Sequence, residues 1–151
     1  MKLKFFAVAA GILTLAACDH GADSAALKGK TYYVIENGTP VTISFDADEN
    51  RVSGRIVNIY NATYDVDGDH IKFGPTMTTM MMGPTAAMQT EREYLQFLDT
   101  VETYNLTKEQ LVLKGADGRE MVFQEIDATE EGALDNLPGA VKIISIDSIS
   151  K

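Results

Sequence analysis

The chain has 151 residues, 45% hydrophobic and 23% charged, a balance that suits one globular domain around one core. Its formal net charge of −9 argues against nucleic acid, whose phosphates need Lys and Arg to neutralise them. Trp is absent, so no indole is available to stack on a sugar or base, and acidity of this size suits a well-hydrated surface.

The N-terminus reads as a leader. Lys2 and Lys4 form a positive region and Phe5 to Leu15 a short apolar run, too short to span a bilayer comfortably. The run ends in Leu15-Ala16-Ala17-Cys18, which resembles a bacterial lipobox, so residues 1–17 are expected to be a lipoprotein signal peptide and Cys18 the lipid-attachment residue. Cys18 is the only cysteine, which excludes an intramolecular disulfide and any other thiol nucleophile. Loss of Lys2 and Lys4 with the leader leaves 11 basic against 22 acidic residues, a net charge of −11. More than one acyl chain anchors stably where a single chain binds reversibly. The expected address is the cell envelope, membrane-anchored and facing the periplasm. Asp19 resembles the enteric signal for inner-membrane retention, so the leaflet leans inner. Residues 18–28, with His20, read as a flexible tether.

From residue 29 the chain is punctuated like a β protein. Thr31 to Ile35 is a strand, Asn37-Gly38 a hairpin signal, and Val41, Ile43 and Phe45 alternate with Thr42 and Ser44. Arg51 to Tyr60 reads as one longer strand, with a bulge near Gly54 as the variant; Ala62 to Val66 and Ile71 to Phe73 flank the turn Asp67-Gly68. A methionine-dense segment, Met77 to Met82, lies between Gly74-Pro75 and Gly83-Pro84. Next comes the one convincing helix. Met88, Tyr94, Leu95, Phe97, Leu98 and Val101 fall on an apolar stripe, while Glu91, Arg92, Gln96 and Asp99 are expected to face away. Its start is either Thr85, after Pro84, or a capping box of Thr90 with Glu93. Strands at Thr103 to Leu106, Gln110 to Lys114 and Met121 to Gln124 follow. Residues 127–151 form a C-terminal extension with a final strand at Val141 to Ile146. Short connections favour antiparallel pairing. The fold expected is α+β: a curled antiparallel sheet or partly open β-barrel of about eight strands on a single amphipathic helix.

The order of motifs resembles the META domain, the HslJ-like heat-shock lipoprotein family, over about residues 29–126. The matching pieces are Ile43-Ser44-Phe45, Val52-Ser53-Gly54 leading to Asn58, Gly74, Met77-Thr78-Thr79-Met80-Met81, the helix with Glu93 and Leu98, then Leu111, Asp117-Gly118 and Phe123. A cysteine pair usual in the family corresponds here to Val57 and Met82, which are expected to be neighbours, and an arginine of the family corresponds to Thr79. The resemblance implies an association with envelope stress and drug tolerance and no established catalysis.

Met77, Met80, Met81, Met82 and Met88 offer soft thioethers that suit Cu(I) or Ag(I), yet methionine also fills irregular core gaps, and core packing is the favoured reading. Asp65-x-Asp67-Gly68-Asp69 matches only part of a calcium loop and is explained by a turn. His70 is the sole histidine after the tether, no Gly-x-Ser-x-Gly elbow occurs, and Glu91 and Glu93 are too close in sequence to face each other on a helix. No catalytic residue, cofactor site or metal site is assigned. The function expected is a non-enzymatic accessory binding lipoprotein with a possible envelope protein partner. The alternative is a periplasmic carrier of a small hydrophobic ligand or of Cu(I).

Overall fold

A computed structural model describes residues 24–126 and residue 137. The strands are β1 (Thr31–Glu36), β2 (Thr39–Phe45), β3 (Arg51–Arg55), β4 (Ile59–Asp67), β5 (His70–Phe73), β6 (Met77–Thr78), β7 (Val101–Leu106), β8 (Gln110–Gly115) and β9 (Glu120–Ile126), with one helix, α1 (Thr85–Leu98), between β6 and β7. The sheet order is β3-β2-β1-β9-β8-β7-β5-β4, and β4 pairs back onto β3, so eight antiparallel strands close into a barrel. Closure removes the exposed edges that an open sheet of this size would present. β6 is the ninth strand: it pairs with Tyr60 and Asn61 of β4, continuing the line of β5 after an interruption at Gly74. The thinnest seam is β5 to β7, one register pair (His70 with Thr103) supported by the Tyr104 N–H donating to the Asp69 carbonyl.

Local chemistry explains the tightest corners. Asn37 and Gly38 both take positive φ, 50° and 76°, which the two-residue β1–β2 turn needs to match the strand twist. Gly54 shows no bulge; it pairs with Tyr60, and a Cβ there would collide with the Thr42 carbonyl and the Tyr60 ring. The expected single strand from Arg51 to Tyr60 is in fact the end of β3, a turn at residues 56–58, and the start of β4. Two N–H groups of that turn, those of Val57 and Asn58, are captured by a side chain of α1, which bends the backbone away from a straight ladder.

The barrel interior is filled by aromatic rings. Phe45 meets Tyr32 and Tyr64 edge-on at 6.1 and 5.2 Å, and Tyr94 of α1 lies between Tyr60 and Phe123 at 5.5 and 6.4 Å. The Tyr60 and Tyr94 hydroxyls are 2.7 Å apart, and Tyr60 donates onward to the Thr42 carbonyl at 2.8 Å, so Tyr94 is the donor to Tyr60. Two polar tips are thereby satisfied inside an apolar core.

The expected tether is shorter than residues 18–28. Ser24–Ala26 makes a 3₁₀ turn and Leu27 has no exposed surface, joining the same core. A leucine among small polar residues reads as linker in the sequence because its core partners are remote along the chain. Cys18, Asp19, His20 and the expected strand at Val141 to Ile146 lie outside the described residues.

Leu27→Ala is expected to lower stability by about 3 kcal/mol, read as a fall in the urea midpoint; an unchanged midpoint would return this segment to the tether. Burial pushes the ionisation of Tyr32, Tyr60, Tyr64 and Tyr94 above the usual 10.0. The folded form therefore holds protons that the unfolded chain releases first. Stability is full below pH 10 and falls above it, by up to about 1.4 kcal/mol per pH unit for each of the fully enclosed Tyr60 and Tyr94 and by less for Tyr32 and Tyr64. Urea unfolding at about pH 8 and about pH 11 checks the sign.

Candidate functional site

α1 begins at Thr85, directly after Pro84, without a side-chain cap. Thr90 is therefore inside the helix, where its hydroxyl donates to the Ala86 carbonyl, and the capping box is not formed. The buried face is Ala87, Thr90, Glu91, Tyr94, Phe97 and Leu98. Glu91 was expected to point to solvent; it points inward and is only 7% exposed. The spacing 87, 90, 91, 94, 97, 98 is a regular helical stripe, so the signal was positional, hidden because the stripe carries a carboxylate.

Glu91 organises the loops at its end of the barrel. One carboxylate oxygen, Oε2, accepts the backbone N–H of Val57 at 3.0 Å and of Asn58 at 2.6 Å; Oε1 accepts the Asn58 side-chain amide at 2.8 Å. Among the described residues no cation pairs with it. Three N–H donors offset the desolvation of the carboxylate. Asn58, 4% exposed, passes the order on. Its Oδ1 accepts the Met81 N–H at 2.6 Å and the Thr79 hydroxyl at 3.0 Å, and Nδ2 reaches the Met81 carbonyl at 3.4 Å. Thr79 also receives the Ile59 N–H on its hydroxyl and donates its own N–H to the Ile59 carbonyl. Helix, β3–β4 turn and methionine segment are thus one hydrogen-bonded unit.

That unit displays the methionines outward. Met80 and Met82 are 98% and 97% exposed, Met77 63% and Met81 41%, with Ile59 beside the segment at 47%. The expectation of core packing fails for these four, because the backbone of Thr79 and Met81 is bonded inward and the side chains are left with no interior to fill. Met88, on the helix, is half-buried. Val57 and Met82 do not pack as a pair, because the Met82 side chain is 97% exposed. The residue that meets Val57 is Gly83, where a Cβ would lie 2.6 Å from Val57 Cγ1.

The other candidates fall apart in space or on the surface. Asp65, Asp67 and Asp69 are exposed around the β4–β5 turn, and His70 lies 3.7 Å from Asp69 with both side chains in solvent. Glu93, unlike Glu91, lines a cleft of about 260 Å³ with Glu36, Glu120 and Arg119. Arg119 is committed there, donating to the Glu93 carbonyl and stacking 4.6 Å over the Phe97 ring. Among the described residues no three His, Cys, Asp or Glu side chains are placed to share a metal ion, and no helix is long and apolar enough to cross a membrane.

A model of the META domain family matches residues 14–128. Among solved structures, an NMR structure of a protein from Burkholderia xenovorans is similar at a TM-score of 0.55 and 19% identity, covering 67% of this chain and 84% of that one. A second protein solved by NMR matches at 0.54 and 16% identity, over 66% of this chain and 91% of the other. A crystal structure of a DUF4847 family protein from Bacteroides vulgatus matches at 0.45 and 20% identity, over 64% of each chain. At these identities the first two show a shared fold. No curated protein matches the chain.

Glu91→Gln tests the clamp. The new amide group would face the Asn58 amide, donor against donor, and Asn58 cannot turn over without losing Met81 and Thr79. The expected cost is about 2 kcal/mol in stability, with faster hydrogen exchange at the Met81 amide; wild-type exchange there would separate the segment from the helix.

Proposed function

This chain belongs to the META domain family, and on that premise we propose that it is a non-enzymatic accessory binding protein of a bacterial envelope, held to the membrane through Cys18. The observation that carries the reading is the methionine lip: four exposed thioether side chains and Ile59 mounted on a backbone fixed by Asn58 and Glu91. Flexible, polarisable methionines on a fixed support suit an apolar protein surface whose details they can follow. The net charge of −11 after removal of the leader favours a partner with a basic rim around that surface. The leader and lipobox support the envelope address, with Asp19 favouring the inner membrane, and the family's association with envelope stress fits an accessory role.

The aromatic filling of the barrel argues against a hydrophobic ligand carried within it. A second reading, a Cu(I) carrier, is favoured by the same exposed sulfurs, all within six residues. Leucine substitution divides the two, because it keeps apolar shape and removes sulfur.

The test is co-purification of the acylated protein from its own membranes, beside Cys18→Ala, a Met80→Ser/Met82→Ser double variant and a Met80→Leu/Met82→Leu double variant. A protein recovered with wild type and the leucine variant, and lost with Cys18→Ala and the serine variant, is the expected result. Equal recovery with the serine variant would remove the lip from the interaction. Cu(I) bound by wild type and released by the leucine variant would favour the carrier.

A further inference from the structure

The methionine lip has a chemical property separate from its shape. A thioether is open to two-electron oxidation, and susceptibility follows access to the sulfur. The chain supplies its own internal scale: Met80 and Met82 at 98% and 97% exposure, Met77 at 63%, Met81 at 41%, Met88 half-buried on α1, and Met121 at 5% inside the barrel wall. We propose that Met80 and Met82 are modification sites, oxidised to methionine sulfoxide by hypohalous acids, and that this turns the lip from apolar to polar while the barrel stays folded.

The step balances without any group from the protein. With hypochlorous acid, the sulfur gives up two electrons and gains the oxidant's oxygen. The O–Cl bond breaks, chloride leaves with the electron pair, and the hydroxyl proton passes to water. The product side chain carries a strong acceptor oxygen in place of a lone pair, and reduction restores the thioether.

The structure explains why the fold would survive. The side chains of Met80 and Met82 bury almost nothing, so the added oxygen displaces no packed atom. What holds the segment is backbone: the Met81 N–H on Asn58 Oδ1 and the Thr79 N–H on the Ile59 carbonyl. Oxidation of Met121, by contrast, would place a sulfoxide in the core beside Leu113, its register partner. The selectivity and the polarity change stand on exposure alone; only their effect on a partner rests on the docking reading.

The experiment treats the full-length mature protein with hypochlorous acid from substoichiometric to about fivefold excess. Sulfoxides are located by peptide mass spectrometry, with urea midpoint and retention on a phenyl-substituted resin measured on the same samples. The expected result is oxidation of Met80 and Met82 at least roughly tenfold faster than Met121, an unchanged urea midpoint, and earlier elution from the resin. A Met77→Leu/Met80→Leu/Met81→Leu/Met82→Leu variant should elute late before and after treatment. Oxidation of Met88 or Met121 as early as Met80, a fall in the midpoint at two sulfoxides per chain, or unchanged retention would each overturn the proposal. Selective oxidation in a protein that captures no partner would instead overturn the docking reading and leave this one standing.

Discussion

One buried carboxylate sets the arrangement of everything at its end of the barrel. Glu91 has to enter the protein as an acceptor, and burial of an acceptor without donors is costly, so its two oxygens dictate where three N–H groups must be. Two of them belong to the backbone between β3 and β4, which therefore turns at residues 56–58. The third belongs to Asn58, whose remaining atoms fix Thr79 and Met81. The β3–β4 turn lies more than twenty residues before Thr79 and Met81 and more than thirty before Glu91, yet the three segments share one set of hydrogen bonds. A network of this kind rigidifies when fully satisfied, and every member here has its partners.

The same helix plugs the barrel through Tyr94. Its ring fills space between Tyr60 and Phe123, and its hydroxyl joins a short relay ending on the Thr42 carbonyl. Gly54 leaves room for the Tyr60 ring, so a position that reads as a weak point of a strand is where the core comes closest to the backbone. Leu27 belongs to the same core from the N-terminal side. An interior occupied by rings is a support for a surface, and the surface it supports is the lip.

Much of the fold is legible from residues alone. Alternation in Val41-Thr42-Ile43-Ser44-Phe45 and the turns at Asn37-Gly38 and Asp117-Gly118 mark strands and hairpins, because a period of two and positive φ are local requirements. The single helix is equally visible. The site is less so. In the sequence Asn58 stands out only as a piece of a motif, and Glu91 reads as solvent-facing because a carboxylate on a helix is charged and most such residues face water. The methionines read as inward-facing for a parallel reason: apolar side chains usually have somewhere to go.

What the sequence determined by itself is local: most strands and turns, one helix, an acidic balance and a Leu15-Ala16-Ala17-Cys18 motif that resembles a lipobox. What only the tertiary structure decided is on which side Glu91 and the methionine segment lie. Burial depends on what arrives from elsewhere in the chain. Glu91 is buried because the β3–β4 turn brings N–H groups to it, and Met80 and Met82 are exposed because Asn58 holds the intervening backbone inward.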